Sequence, residues 1–124
     1  MDKLEKINKK LIKLGMNIND FYDSLQIREI KQGLKDKLDI SYFSNPKFSW
    51  EQMQEIRKGL KSKLDVSIYS NPLFNSSQMR SIRLGLEDKL DVSIYAKEDL
   101  SYEEMEEVRK NLLINSIEQY RPQE

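Results

Sequence analysis

Apolar residues recur along this chain at helical spacing. Ile27, Ile30, Leu34 and Leu38 form one set, Trp50, Met53, Ile56, Leu60 and Leu64 a second, and Met79, Ile82, Leu86 and Leu90 a third. Steps of three and four residues draw one stripe along a helix of 3.6 residues per turn. The sets themselves repeat at one fixed period, the step from Gly33 to Gly59 and again to Gly85. Gly33-Leu34, Gly59-Leu60, Gly85-Leu86 and Asn111-Leu112 mark that period, and Leu38-Asp39-Ile40-Ser41, Leu64-Asp65-Val66-Ser67 and Leu90-Asp91-Val92-Ser93 keep it. Ile30-Lys31, Ile56-Arg57, Ile82-Arg83 and Val108-Arg109 keep it too. So many positions agreeing at one spacing identify a repeat protein.

Each unit opens on a helix-start signature. Asp23 precedes Gln26 by three residues, Ser49 Gln52, Asn75 Gln78 and Ser101 Glu104. This is capping-box spacing: the first side chain accepts from an early helical N–H, and the second reaches back to the cap. A glycine in mid-helix costs about 1 kcal/mol relative to alanine. Its recurrence at 33, 59 and 85 therefore predicts close approach by a neighbouring element.

The connector admits two readings. Asp65 can cap a short helical turn through Val66-Ser67-Ile68-Tyr69, which Asn71-Pro72 then stops, because the residue before proline avoids the α region. One long and one short helix per unit would stack as an α-solenoid. The rival is a leucine-rich-repeat-like α/β solenoid, with Val66, Ile68 and Asn71 as strand and turn. Lys37, Lys63 and Lys89 stand where that repeat wants its leading leucine, and Lys97 replaces its asparagine in the third unit. The all-α reading is preferred, with five long helices near residues 2–14, 23–37, 49–63, 75–89 and 101–120. The chain then divides into a degenerate N-terminal cap (1–21), repeats at 22–47, 48–73 and 74–99, and a C-terminal capping helix (100–124), all in one domain. In the first cap, Asp2 and Glu5 have capping-box spacing. Leu4, Ile7, Leu11 and Leu14 share one side, and Gly15 closes the helix. Met16 to Phe21 imitates the connector. At the far end Pro122 ends the last helix.

The unit resembles an uncharacterised 26-residue repeat of hypothetical proteins from phages and conjugative elements of gut Firmicutes, whose consensus reads Q-M-x-E-I-R-x-G-L-x-x-G-L-D-V-S-x-Y-A-x-P-x-F. Gln52-Met53-Gln54-Glu55-Ile56-Arg57-Lys58-Gly59-Leu60 and Leu64 to Tyr69 carry the likeness, and Gln78-Met79 to Tyr95 carry it again. It covers about three-quarters of the chain. Lys37, Lys63 and Lys89 depart from it, where the family often has glycine. The resemblance implies no activity. It implies a mobile-element protein acting in the cytoplasm of a bacterial host, where many short proteins of such elements inhibit defence systems, as anti-CRISPR proteins do.

Composition narrows the chemistry. Among 124 residues there is no His and no Cys, which removes the commonest general base and transition-metal ligand, and excludes disulfides and cysteine nucleophiles. There is no phosphate-binding glycine loop, nucleophile–base pair or metal-ligand cluster. A non-enzymatic protein needing no cofactor is expected. No apolar run approaches the length of a membrane span, and Met1 to Lys10 is too polar for a signal peptide. Lys plus Arg and Asp plus Glu both number 21. Zero net charge argues against gripping nucleic acid by bulk electrostatics. The balance conceals a segregation, however. Residues 1–19 hold five Lys against Asp2 and Glu5, net +3, and residues 96–124 are net −4.

Four features are candidates for function. The ladder of Lys31, Arg57, Arg83 and Arg109 beside Asp39, Asp65 and Asp91 reads first as structural, the cation holding connector carbonyls or the Asp of an adjacent unit. The column Phe43, Tyr69, Tyr95, with Phe48 and Phe74, reads first as core rather than a base-stacking strip. The residue after each helix cap varies (Ser24, Trp50, Ser76, Tyr102), and Trp50 and Tyr102 are the best single partner-binding candidates, since Trp and Tyr are favoured hot-spot residues. The acids Glu98, Asp99, Glu103, Glu104, Glu106 and Glu107 either simply suit a helix N-terminus or present a nucleic-acid-like face to the basic groove of a defence nuclease. The expected partner is thus a protein, inhibited by occlusion of its functional surface. The alternatives are a nucleic-acid patch from Arg57, Lys58, Lys61, Lys63, Arg80 and Arg83, or a homo-oligomeric structural piece joined head to tail through its opposite charges.

Overall fold

A computed structural model describes residues 3–15 and 17–120. Asp2, Met16 and Pro122, and the Leu11 side chain, on which parts of the cap expectations rest, lie outside the described residues. The described chain is all-helical: α1 (Lys3–Lys13), α2 (Ser24–Lys35), α3 (Trp50–Lys61), α4 (Ser76–Glu87) and α5 (Tyr102–Gln119). Four 3-10 turns join them, at Ile18–Asp20, Ile40–Tyr42, Val66–Ile68 and Val92–Ile94. The described residues contain no strand, so the strand reading of the connectors is overturned. Asp39, Asp65 and Asp91 each accept from the backbone N–H two residues on, which starts a tight turn instead of an extended segment.

The four capping boxes at Asp23, Ser49, Asn75 and Ser101 all form with both of their bonds. Helices α2 to α4 stop two residues before the periodicity suggests. Lys37, Lys63 and Lys89 take left-handed backbone, φ 58, 60 and 58. Leu38, Leu64 and Leu90 then donate back to the carbonyls of Gly33, Gly59 and Gly85 at 2.9 Å, which closes a Schellman-type end.

Helix α2 packs on α3, α3 on α4 and α4 on α5, while α1 rests more lightly on α2. The core lies along these contacts. Met53, Ile56, Met79, Ile82 and Met105 are fully buried, as are Phe43, Tyr69 and Tyr95. The aromatic column is therefore core. Its rings occupy the space left by the mid-helix glycines: a β-carbon on Gly33 would stand 2.6 Å from the Phe43 ring, and one on Gly59 2.7 Å from Val66 Cγ1 and closer still to the Tyr69 hydroxyl. Of the stripe expected along the first helix only Leu4 is buried among the described side chains; Ile7, and Leu14 just past the end of α1, are exposed.

Candidate protein-binding surfaces

The recurring cations do not hold connector carbonyls or Asp39, Asp65 and Asp91, although Arg109 lies 3.9 Å from Asp88 of the preceding unit. Arg57 Nε donates to Glu29 at 2.7 Å and Arg83 Nε to Glu55 at 2.8 Å, each Glu lying on the preceding helix. Those glutamates are almost wholly buried, and a carboxylate removed from water needs such a partner. Burial works against the charge on Arg83, but its bonds to Glu55 and Glu87 outweigh that and raise its pKa. The third rung is rewired, because Ser81 stands where the Glu would be. Glu106 fills the gap from α5, accepting from Ser81 Oγ at 3.0 Å, from Tyr102 and from Arg109. Its bond from Arg109 leads the causes that hold this carboxyl below the usual range. The signal for this ladder is in the sequence: Glu29-Ile30 and Glu55-Ile56 recur at the repeat period just as the arginines do.

A second connection also escaped the spacing argument. Gln26, Gln52 and Gln78 do more than complete their capping boxes. The Gln52 amide donates onward to the carbonyls of Pro72 and Phe74 at 3.2 and 2.6 Å. Gln26 does the same to Pro46 and Phe48, and Gln78 to Glu98 and Leu100. One side chain thus starts its own helix and fastens the loop that leads into the next. Glutamine suits this because its amide both accepts and donates. The last unit, with no described unit beyond it, has Glu104 in that place.

These interactions sort the candidate residues. Glu104 is consumed by its cap and Glu106 by the third rung. Glu98 accepts from Asn71 Nδ2 at 2.9 Å. Asp99, Glu103 and Glu107 are exposed and have no hydrogen-bond or ion-pair partner among the described residues. Tyr102 is half-buried, its hydroxyl 3.2 Å from Glu106. Trp50 is half-buried at the start of α3, with the Arg28 guanidinium 5.6 Å from its ring centre, a cation–π distance. Of the basic set, Arg57 and Arg83 face inward to their glutamates, and Lys61 lies 3.5 Å from Asp36. Lys58, Lys63 and Arg80 are exposed. No three carboxylates among the described residues gather as a metal site, and no described helix is long and apolar enough to cross a membrane.

No family model, curated protein or solved structure matches the chain.

Proposed function

We propose that this chain is a non-enzymatic protein-binding module, a small α-solenoid, and that it is a phage or mobile-element protein inhibiting a bacterial defence effector such as a CRISPR nuclease by occlusion. The binding part of the reading rests on one observation above all. Within a molecule whose described buried side-chain polar atoms are paired, Asp99 just before α5 and Glu103 and Glu107 in its first turns are exposed carboxylates without partners among the described residues. The inhibitor part rests on the resemblance of the repeat. Carboxylates set on a rigid helix offer a basic groove what a phosphate backbone offers it. Such complementarity speeds encounter and weakens as salt rises. Tyr102 beside them, and Trp50 two units earlier, supply aromatic area for the contact.

The nucleic-acid reading has less to support it, since two of its six cations are committed to buried glutamates. The deciding experiment is retention of protein from bacterial lysate on the immobilised chain, compared with an Asp99→Lys/Glu103→Lys variant. The expected result is a partner retained at low salt, released as salt rises and missed by the variant. Retention of nothing, or equal retention by both chains, overturns the reading.

A further inference from the structure

The two ends of the helix series carry opposite halves of the ladder that joins its interior. In each complete rung a Glu on one helix meets an Arg on the next, at one constant separation along the chain: Glu29 with Arg57, and Glu55 with Arg83. At the first helix pair the rung is missing. Lys31 holds the cation position, but Lys3 stands at that same separation before it, where the Glu belongs. Lys31 has no carboxylate within ion-pair distance among the described residues and is exposed. At the last helix the acceptor position falls on Glu107, exposed and without a partner among the described residues. The cation that Glu107 lacks would stand one rung beyond it, and the same position of the repeat, taken back to the first unit, is Lys31.

The surroundings match as the register does. Because α1 lies lightly on α2, it leaves a groove of about 760 Å³ between them, floored by Leu4 and Leu34 and rimmed by Lys3, Lys31, Lys35 and Lys37. A smaller groove of about 310 Å³ runs along α2 past Ile27 and Arg28. On α5, Glu103 and Glu107 lie one turn apart. The last turns carry Ile114 and Ile117, and Tyr120 follows just past the helix, at three-residue spacing and all exposed. One end is thus an apolar groove rimmed by lysine, and the other a glutamate-bearing helix with uncovered apolar side chains.

We propose that the occupant of the α1–α2 groove is α5 of a second copy of this chain, with Glu107 of that copy meeting Lys31. The contact is heterologous, so each added copy leaves a groove free at one end and an α5 free at the other, and growth continues unless a ring closes. This inference uses the same Glu103 and Glu107 face as the reading above but does not rest on it, because its test concerns the purified chain alone.

Sedimentation of the purified protein over a range of concentrations tests it, at about 50 mM and about 0.5 M salt. The average mass is expected to climb with concentration at low salt and return to the monomer at high salt. Lys31→Glu and Glu107→Lys each place like charges across the contact and weaken association at least about tenfold. Both positions are exposed and bear no internal bond among the described residues, so the fold is retained, which circular dichroism verifies. The double variant Lys31→Glu/Glu107→Lys restores opposite charges and recovers growth. A monomer at every concentration at low salt overturns the proposal. So does association unaltered in the single variants, or a double variant that fails to recover.

Discussion

Gly59 shows how a single missing methyl group organises a unit. The Tyr69 ring lies over it, and the Tyr69 hydroxyl donates to the Glu55 carbonyl at 2.7 Å. That ring is fully buried and fixed by its bond, so it cannot swing aside to admit a β-carbon. Helix propensity alone predicts that Gly59→Ala gains about 1 kcal/mol. Overpacking a filled site costs typically about 1–3 kcal/mol, and the absence of slack around Tyr69 puts this site at the upper end. We expect Gly59→Ala to lose about 2 kcal/mol net, read as a lower urea midpoint at unchanged slope. The close approach was legible in the recurrence of glycine at 33, 59 and 85. Its agent was not, because spacing identifies an unfavourable residue without naming the ring that needs it there. The left-handed lysines are a similar case. Lysine carries no left-handed signal of its own.

At the scale of the element, the stripes of α2 to α4, the caps of α2 to α5 and the preferred helical reading of the connector were readable because each depends on residues a few positions apart. What depends on partners in a neighbouring unit was not. The expectation that the arginines hold connector groups failed for that reason: local spacing shows that a cation recurs but not which neighbour's carboxylate it meets. The Gln–carbonyl connection was hidden behind the capping box, a complete explanation of the same residue. It separates two substitutions that a cap alone treats as equals. Gln52→Glu keeps the cap acceptor but loses the amide donor, and it sets a carboxylate against the Pro72 and Phe74 carbonyls. Leaving buried acceptors unpaired costs about 1–3 kcal/mol, and we expect a loss of about 2 kcal/mol in thermal or urea unfolding. Glu104→Gln, with no onward carbonyl to miss among the described residues, is expected to stay within about 0.5 kcal/mol of wild type.

Over the whole molecule, the buried phenols of Tyr69 and Tyr95 make stability depend on alkaline pH. Desolvation raises both pKa values from 10.0, that of Tyr95 to about 12. A raised folded-state value means that the folded chain holds the proton more tightly. The stabilisation is complete below pH 10 and is lost as pH rises through the folded value. Between the unfolded and folded values each phenol contributes a decline of about 1.4 kcal/mol per pH unit. We expect wild type to lose stability between pH 10 and 12 relative to Tyr69→Phe/Tyr95→Phe. Urea unfolding at a series of pH values measures it, and parallel curves for the two proteins refute it. The segregation of charge at this scale was legible from the sequence, basic at the start and acidic at the end. Which of those charges remain available was decided by pairing, which left Glu107 exposed and drew Glu106 inward.

The onward amide bonds also give the array a direction. Each glutamine is held by carbonyls at the junction with the following unit, never by the unit before. Loss of α5 and its preceding loop would strip Gln78 of both its outer acceptors, the Glu98 and Leu100 carbonyls. Loss of α1 would leave the Gln26, Gln52 and Gln78 bonds all intact. Unravelling from the C-terminal side therefore loosens the next helix start as it goes, while unravelling from the N-terminal side meets each start still fastened. The units repeat one pattern, yet each of these helix starts is fastened from the C-terminal side alone.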